Sequence, residues 1–408
     1  MPTPAAGPLL PPGAARLPPE LCDQVIDNVA GYYDLHDSVR TLLACSLTCR
    51  SWVGRARRHL YRFGAVAKTR TQFAALLQRL EAQPGLLETR VLDVGYDRDP
   101  AQAPAQTWVG TVPGALARRL AHVRRLRLAC VPPVLHRSFY VVLAQFRALT
   151  GLLLHGCAFP HVKDFARLVL GFRSLVQLYL SRLEWPVERK AGAHAVACRG
   201  MKRMAQLRLE VLNITISPPH VMVDACNWLL YTSSGSSLHT ISIDFPAVEP
   251  RALVPDIVAR LLRTCGPTLR NLRMRFDSVL TAADCAQILC GLSLEECKQF
   301  RTLSTRALPP DQICIDALTN LVNTLPSDTS VLEDVSFWYH GKHYFQGFPW
   351  TALDQALSDK TKHPRFKKLA VTVRQSEDAA ILAPLLYAAG KLALYETDSD
   401  HGEQFRFW

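Results

Sequence analysis

At 408 residues the chain is long enough for two or three ordinary domains, or for one elongated repeat domain carrying a small module. A hydrophobic content of 49% argues for a folded protein, and no apolar run approaches the roughly 20 residues that a helical membrane span requires. The net charge of +12 is concentrated, because residues 111–210 hold 17 Lys/Arg against 4 Asp/Glu, a local +13 that leaves the rest near neutral. Such asymmetry suits nucleic acid, an anionic membrane or an acidic protein, and equally a solvated basic surface with no dedicated partner.

The opening "MPTPAAGPLLPPGAAR" has no basic stretch ahead of a compact apolar core, and its prolines make it a poor signal peptide. Residues 1–15 are expected to be a disordered tail. Without a secretory signal, the 12 cysteines read as reduced thiols of an intracellular protein, cytoplasmic or nuclear. The sequon at Asn213 is then silent.

"LPPELCDQVIDNVA", residues 17–30, starts extended, since a residue before proline is pushed out of the helical region. A helix follows, with Leu21, Val25, Ile26 and Val29 on one stripe and Glu20 and Asp23 near its positive end. Gly31 stops it. From Ser38 a second pattern runs, in which Leu42, Cys45, Cys49 and Trp52 recur at intervals of 3, 4 and 3, with Leu43 and Leu47 widening the apolar face. Both cysteines are therefore expected to be buried. Thr48 is a candidate cap for a third helix running from Cys49 to about Leu60.

Leu17-Pro18, Glu20-Leu21, Val25-Ile26 and the later "CSLTCRSW" resemble the F-box in its fungal F-box-like form, over roughly residues 16–62. The resemblance implies a three-helix module docking on the Skp-type adaptor of a cullin-RING ubiquitin ligase, an SCF-type complex. Carried over by position, the contacts would be Leu17, Pro18, Leu21, Val25, Leu42 and Leu43. The stretch "GYYDLHD" between the first two helices is longer than the family's usual pattern. The alternative is a helical cap that seals the apolar end of the following domain, as repeat arrays require.

A linking helix is predicted in 63–88, at "TQFAALLQRLEAQ". Beyond it the template apolar-x-x-apolar-x-apolar recurs, as "VRRLRL" at 123, "LTGLLL" at 149, "LVQLYL" at 175, "MAQLRL" at 204, "LHTISI" at 238, "LRNLRM" at 269, "LEDVSF" at 332 and "FKKLAV" at 366. A poorer copy, "CKQFRT" at 297, would fill the gap between 269 and 332, and weak matches begin at Thr89 and Ala389. One match means little, but the period of about 30 does, particularly as segments such as "HVKDFARLVLGFRSL" read as amphipathic helices between strands. The array resembles the degenerate leucine-rich repeats that often follow fungal F-boxes. In its best copy Leu149, Leu152, Leu154 and Cys157 match L-x-x-L-x-L-x-x-C, which gives Cys157 a structural role and makes His155 and His161 poor metal ligands.

The expected fold is thus α/β: an N-terminal three-helix F-box-like module at 16–62, the linking helix, an irregular leucine-rich-repeat-like solenoid with a curved parallel sheet at 89–396, and a tail at 397–408. Alternate strand positions face out on the concave side. The candidate target-binding residues among them are Arg125, Arg127, Tyr179, Arg208, Arg273 and Trp338, with Leu153, Gln177, Gln206, Thr240, Ser242, Asn271 and Ser336 beside them. Arginine, tyrosine and tryptophan are the usual anchors of protein interfaces.

No phosphate-cradling glycine loop, HExxH, paired CxxC or GxSxG elbow occurs in the sequence. Cys285, Cys290, Cys297 and Cys314 are loosely spaced on helical stripes and read as buried thiols. The aromatic run at 337–350 reads as a loop packed over the solenoid edge. The expectation is a non-catalytic substrate receptor, with no cofactor and no metal, that holds an adaptor, and through it a cullin, at one end and a target protein for ubiquitination at the other. The alternative is a nucleic-acid-associated or scaffold protein using the basic 111–210 region.

Overall fold

The computed structural model describes residues 18–31, 35–96, 107–132, 137–185, 206–215, 217–245, 253–309, 311–326, 331–338, 350–373 and 383–396. The terminal tails, Leu17 and the centre of the 337–350 aromatic run lie outside these residues.

The chain begins with three helices, α1 (Pro19–Gly31), α2 (Leu35–Thr48) and α3 (Arg50–Phe63). They close around a core of Ile26, Leu42, Cys45 and Ala56, with Val29, Trp52 and Leu60 packed at its rim. Two expectations need correcting here. Leu42 is fully buried in this core and cannot be a surface contact. Cys49 is exposed, because the chain leaves the helical conformation there (φ −156°, ψ 160°) and Cys49, rather than Thr48, occupies the cap of α3. The Thr48 hydroxyl instead donates back to the Ala44 carbonyl, 3.0 Å away, which ends α2.

After Gly64 the repeat pattern takes over. Among the described residues twelve strands form one sheet in which every pairing is parallel and spatial order follows chain order. They are β1 (Ala65–Ala67), β2 (Val91–Gly95), β3 (Arg125–Ala129), β4 (Gly151–His155), β5 (Gln177–Ser181), β6 (Val211–Thr215), β7 (Thr240–Phe245), β8 (Asn271–Phe276), β9 (Thr302–Arg306), β10 (Asp334–Trp338), β11 (Lys368–Val373) and β12 (Leu392–Glu396). Between them lie α4 (Arg70–Ala82), α5 (Val112–Leu116), α6 (Arg137–Leu143), α7 (Val162–Gly171), α8 (Pro219–Leu230), α9 (Leu253–Cys265), α10 (Ala282–Cys290), α11 (Gln312–Asn323), α12 (Thr351–Ser358) and α13 (Pro384–Ala388). The molecule is an α/β solenoid of leucine-rich-repeat-like build.

The register explains the period. Leu126, Leu152, Leu178 and Leu212 are direct neighbours on successive strands, each essentially fully buried on the helix side of the sheet. Each such side chain contributes roughly 1.5–3 kcal/mol of burial, and a one-residue slip would turn the whole set outward. Helices about 10 Å wide cannot stack at the 4.8 Å strand spacing, so the helical layer takes the outer radius and the open sheet face is the concave one.

After the strands the chain turns through left-handed conformations at Cys130, Gly156, Arg182 and Ala307, whose N–H groups donate to the next strand's last carbonyl, His155, Ser181, Thr215 and Trp338 respectively. The residue that follows turns in, as Cys157 does, and its thiol donates to the Leu128 carbonyl 3.2 Å away. Beyond it Phe159, Phe165, Trp185 and Trp228 form a chain of ring contacts under the sheet.

Three repeat placements differ from the sequence reading. The unit taken to start at Met204 lies five residues further on, with Leu209, Leu212 and Ile214 as its apolar set, because these continue the register of β5. The unit taken to start at Cys297 is carried by Phe300 and Leu303, with buried Thr305 in the third position. The sheet also starts earlier than Thr89, since β1 precedes α4 and pairs with β2 through Ala65↔Leu92. Tyr61 of α3 packs against the solenoid core with its ring beside Gly85, and its carbonyl accepts from the Thr89 hydroxyl.

Candidate functional site

Two surfaces carry the predicted residues. On the helical module, Leu21 and Val25 of α1 are 45% and 44% exposed, and Leu43 and Leu47 of α2 are 50% and 86% exposed. Each pair is spaced i,i+4, so each forms an apolar row along the flank of its helix. Pro18 is exposed, and its carbonyl accepts from Leu21 and Cys22, starting α1. Leu17 lies outside the described residues.

The module is held from behind by charge. The Arg55 guanidinium grips Asp27 with both arms (2.9 and 2.5 Å), and His59 Nε2 lies 2.7 Å from Asp27 Oδ1. The hydrogen bonds from Arg55, and secondarily His59, hold the Asp27 carboxyl well below the usual carboxylate range. At the start of α3 the Ser51 hydroxyl, 3.0 Å from the Cys49 sulfur, lowers the pKa of that thiol, with the backbone N–H of Trp52 adding to the effect.

The second surface is the open sheet face. Its middle row runs Asp93, Arg127, Leu153, Tyr179, Asn213, Ser242, Arg273, Ser304, Ser336. Arg125 lies on the same face beside Gly151 and Gln177. Five of the six predicted target-binding residues, Arg125, Arg127, Tyr179, Arg273 and Trp338, therefore share this face. Arg208 does not. It is exposed in the turn before β6, and Asn213 takes the place assigned to it, a direct result of the five-residue displacement of that unit.

The predicted residues are not equivalent. Asp93 carries Lys68 at 2.5 Å on one oxygen and Arg127 at 3.5 Å on the other, so Arg127 is an already paired charge. Tyr179 is half-buried, and burial raises its phenol pKa against the opposing fields of Arg125 and Arg273. Burial, helped by Arg127, Arg182 and Lys68, keeps the His155 pKa low, and no group of three or more metal-ligating side chains occurs among the described residues. Burial pushes the Cys157 thiol up to about 12, which suits a structural thiol.

The sequence reading missed Asp244, Arg275 and Arg306. Strands β7 and β8 run two residues past the template, where alternation continues through buried Phe245 and Phe276, stacked 5.4 Å apart. That extension turns Asp244 and Arg275 outward beside Arg306 and Trp338. Arg273 and Trp338 join them around a hollow of about 240 Å³.

The basic 111–210 region does not make one groove among the described residues. Arg125 and Arg127 face the open sheet, whereas Arg167 lies on α7 and pairs with Asp164, and Arg119 pairs with Glu81 of α4. No helix among the described residues is long and apolar enough to cross a membrane. Of the four cysteines read as buried thiols, Cys285, Cys297 and Cys314 are buried, but Cys290, at the end of α10, is exposed.

No family model matches this sequence, and no curated protein matches it. Among solved structures it is similar to a chain of the yeast Rad7 and Elc1 complex, with 14% identity, a TM-score of 0.38 and 94% of both chains covered. It is also similar to TLR13 in complex with ssRNA13, at 12% identity and a TM-score of 0.30 over 71% of this chain and 44% of that one. A leucine-rich-repeat protein of Leptospira interrogans matches at 14% identity and a TM-score of 0.30, over 81% and 69%.

Proposed function

We propose that the protein is a non-catalytic receptor whose helical module docks on a Skp-type adaptor and, through it, a cullin, while the open face of the solenoid holds a target protein for ubiquitination. The observation that carries this reading is the pair of apolar rows, Leu21 with Val25 and Leu43 with Leu47, left exposed on a module whose inward stripe is already satisfied by Ile26 and Leu42. Covering a half-exposed leucine or valine is worth roughly 1 kcal/mol each, so the rows favour a protein partner over water. The module would perform no chemistry. Holding ligase and target on one chain raises the effective concentration of one at the other.

The test is co-purification of adaptor and cullin with full-length chain carrying Leu21→Gln and Val25→Gln, and separately Leu17→Ala with Pro18→Ala. Loss of the adaptor with retained helical content is the expected outcome. Undiminished adaptor in both variants would overturn the docking proposal.

A further inference from the structure

We propose that the flank of the solenoid on which its strands begin binds the phosphate backbone of a double-stranded nucleic acid, without regard to base sequence, independently of the adaptor docking above.

The backbone ladder fixes which residue enters each strand. The N–H of Arg124 donates to the Arg90 carbonyl (2.8 Å), that of Arg270 to His239 (2.9 Å), that of Arg301 to Arg270 (2.7 Å) and that of Lys367 to Glu333 (2.8 Å). The same link joins each neighbour from β2 to β11, so one residue per strand forms a single row along this flank. At a strand spacing of about 4.8 Å the row is about 43 Å long.

Charge along the row is one-sided. Arg90, Arg124, Arg270, Arg301 and Lys367 stand in it, and Arg147, Arg173, Arg208, Lys298 and Arg365 stand two or three residues ahead of it. All ten are exposed. The same stretches hold three anions, Glu88, Glu210 and Glu333, so ten cations against three leave this flank with +7 of the chain's +12. On the opposite flank, where the strands end, Arg182, Arg275 and Arg306 meet Glu184, Asp244 and Asp277 around a hollow of about 730 Å³, a net of zero.

Little on this flank neutralises the row. Among the described residues only Arg301 and Lys367 of the ten have a carboxylate partner, and they share one, Glu333, at 3.5 and 2.6 Å. The Lys367 hydrogen bond, with the fields of Arg301 and Arg365, holds that carboxyl below its ordinary range, as an anion outnumbered by cations should be. Helices that return the chain between parallel strands end on this flank too, but their dipoles act only over the last turn. Arg270 and Lys367 stand well past the ends of α9 and α12.

The chemistry of the row selects the partner. Eight of the ten cations are arginines, whose forks fit phosphate oxygens two at a time. Anchoring on a membrane needs apolar side chains beside the cations, and of the exposed large apolar residues described only Leu87 lies within three residues of the row. Gripping a single strand needs exposed rings on which bases stack. The aromatic residues just ahead of the row, Phe146, Phe172, Phe300 and Phe366, are buried. A duplex keeps its bases inside and its phosphates outside in regular lines, which suits a regular line of cations with no apolar companion.

Fluorescence anisotropy of the full-length chain with a 20-base-pair duplex, DNA and RNA in separate arms, tests this. Binding to one or both is expected, falling roughly 500-fold between 50 and 200 mM salt if the row neutralises about five phosphates. Arg270→Glu and Arg124→Glu should each weaken binding roughly tenfold and lower the salt slope by about one. Both side chains are exposed, so circular-dichroism spectra and thermal midpoints should match those of the unaltered chain. Arg182→Glu makes the same charge change a strand length away, about 16 Å against a Debye length of about 8 Å, and should leave binding unchanged. No binding to either duplex at 50 mM salt, equal weakening by Arg182→Glu, or equally ready displacement by the matching single strand, polyglutamate or phosphatidylserine vesicles would each overturn the proposal. Adaptor co-purification should be unaltered in Arg270→Glu, so the two proposals fail independently.

Discussion

Leu42 and Leu43 are adjacent in the chain and opposite in role, and substituting each gives a sharp test of how the helical module works. Leu42 is 0% exposed among Ile26, Cys45 and Ala56, whereas Leu43 is 50% exposed on the flank of α2. Leu42→Ala removes a fully buried side chain from a core of four residues, at a cost of about 3 kcal/mol including the cavity left behind. That corresponds to a roughly hundredfold rise in the open population of the module. Leu43→Gln keeps a good helix former on the surface and should cost no more than about 0.5 kcal/mol. Hydrogen exchange followed by mass spectrometry reads both. In Leu42→Ala, amides of 19–63 should lose about two orders of magnitude of protection, while β4 to β10, which share no core with the module, should be unchanged. Leu43→Gln should leave protection intact and weaken adaptor binding. Equal loss of protection in the two variants, or none in Leu42→Ala, would refute the division between core and contact.

Other positions make separate predictions. Gly95 has φ +147°, and a Cβ there would sit 1.9 Å from the Ala129 carbonyl oxygen; Gly95→Ala should cost about 3 kcal/mol by forcing β2 away from β3, seen as a lower thermal midpoint. Asp27 has a depressed pKa, so its contribution to stability is complete above the ordinary carboxylate range near 4 and is lost as pH falls below it. Acid titration of the module's helical signal should therefore flatten in Asp27→Asn; because Asp27 is 42% exposed, the effect should be modest and shrink with added salt. Brief alkylation of the native protein should label exposed Cys49, whose thiol pKa the hydrogen bonds with Ser51 and Trp52 lower, well ahead of buried Cys157, Cys226 and Cys265, whose thiols burial pushes up. Peptide mapping of the labelled chain checks the order.

The sequence by itself determined the architecture wherever a local rule is strict. An L-x-x-L-x-L unit repeated every 26 to 34 residues can bury its leucines only by stacking, so "VRRLRL", "LTGLLL" and "LVQLYL" placed β3, β4 and β5 correctly, and with them Arg125, Arg127 and Tyr179. It placed α1, α2 and α3 from their apolar stripes to within a few residues. Where local evidence was ambiguous, tertiary structure decided. "MAQLRLEVLNI" fits the template at Met204 and again at Leu209, and only pairing with β5 selects the second, which removes Arg208 from the face and puts Asn213 on it. Periodicity put Cys49 and Leu42 on one stripe, but a break in the helix at Cys49 exposes the first and the closing of α1 and α3 buries the second. The arginine-lined hollow was least legible of all, because Arg273 and Arg306 stand 33 positions apart and meet only through the register of β8 with β9. A single strand fixes which side chains face out; which charges share a site is fixed by the strand next to it.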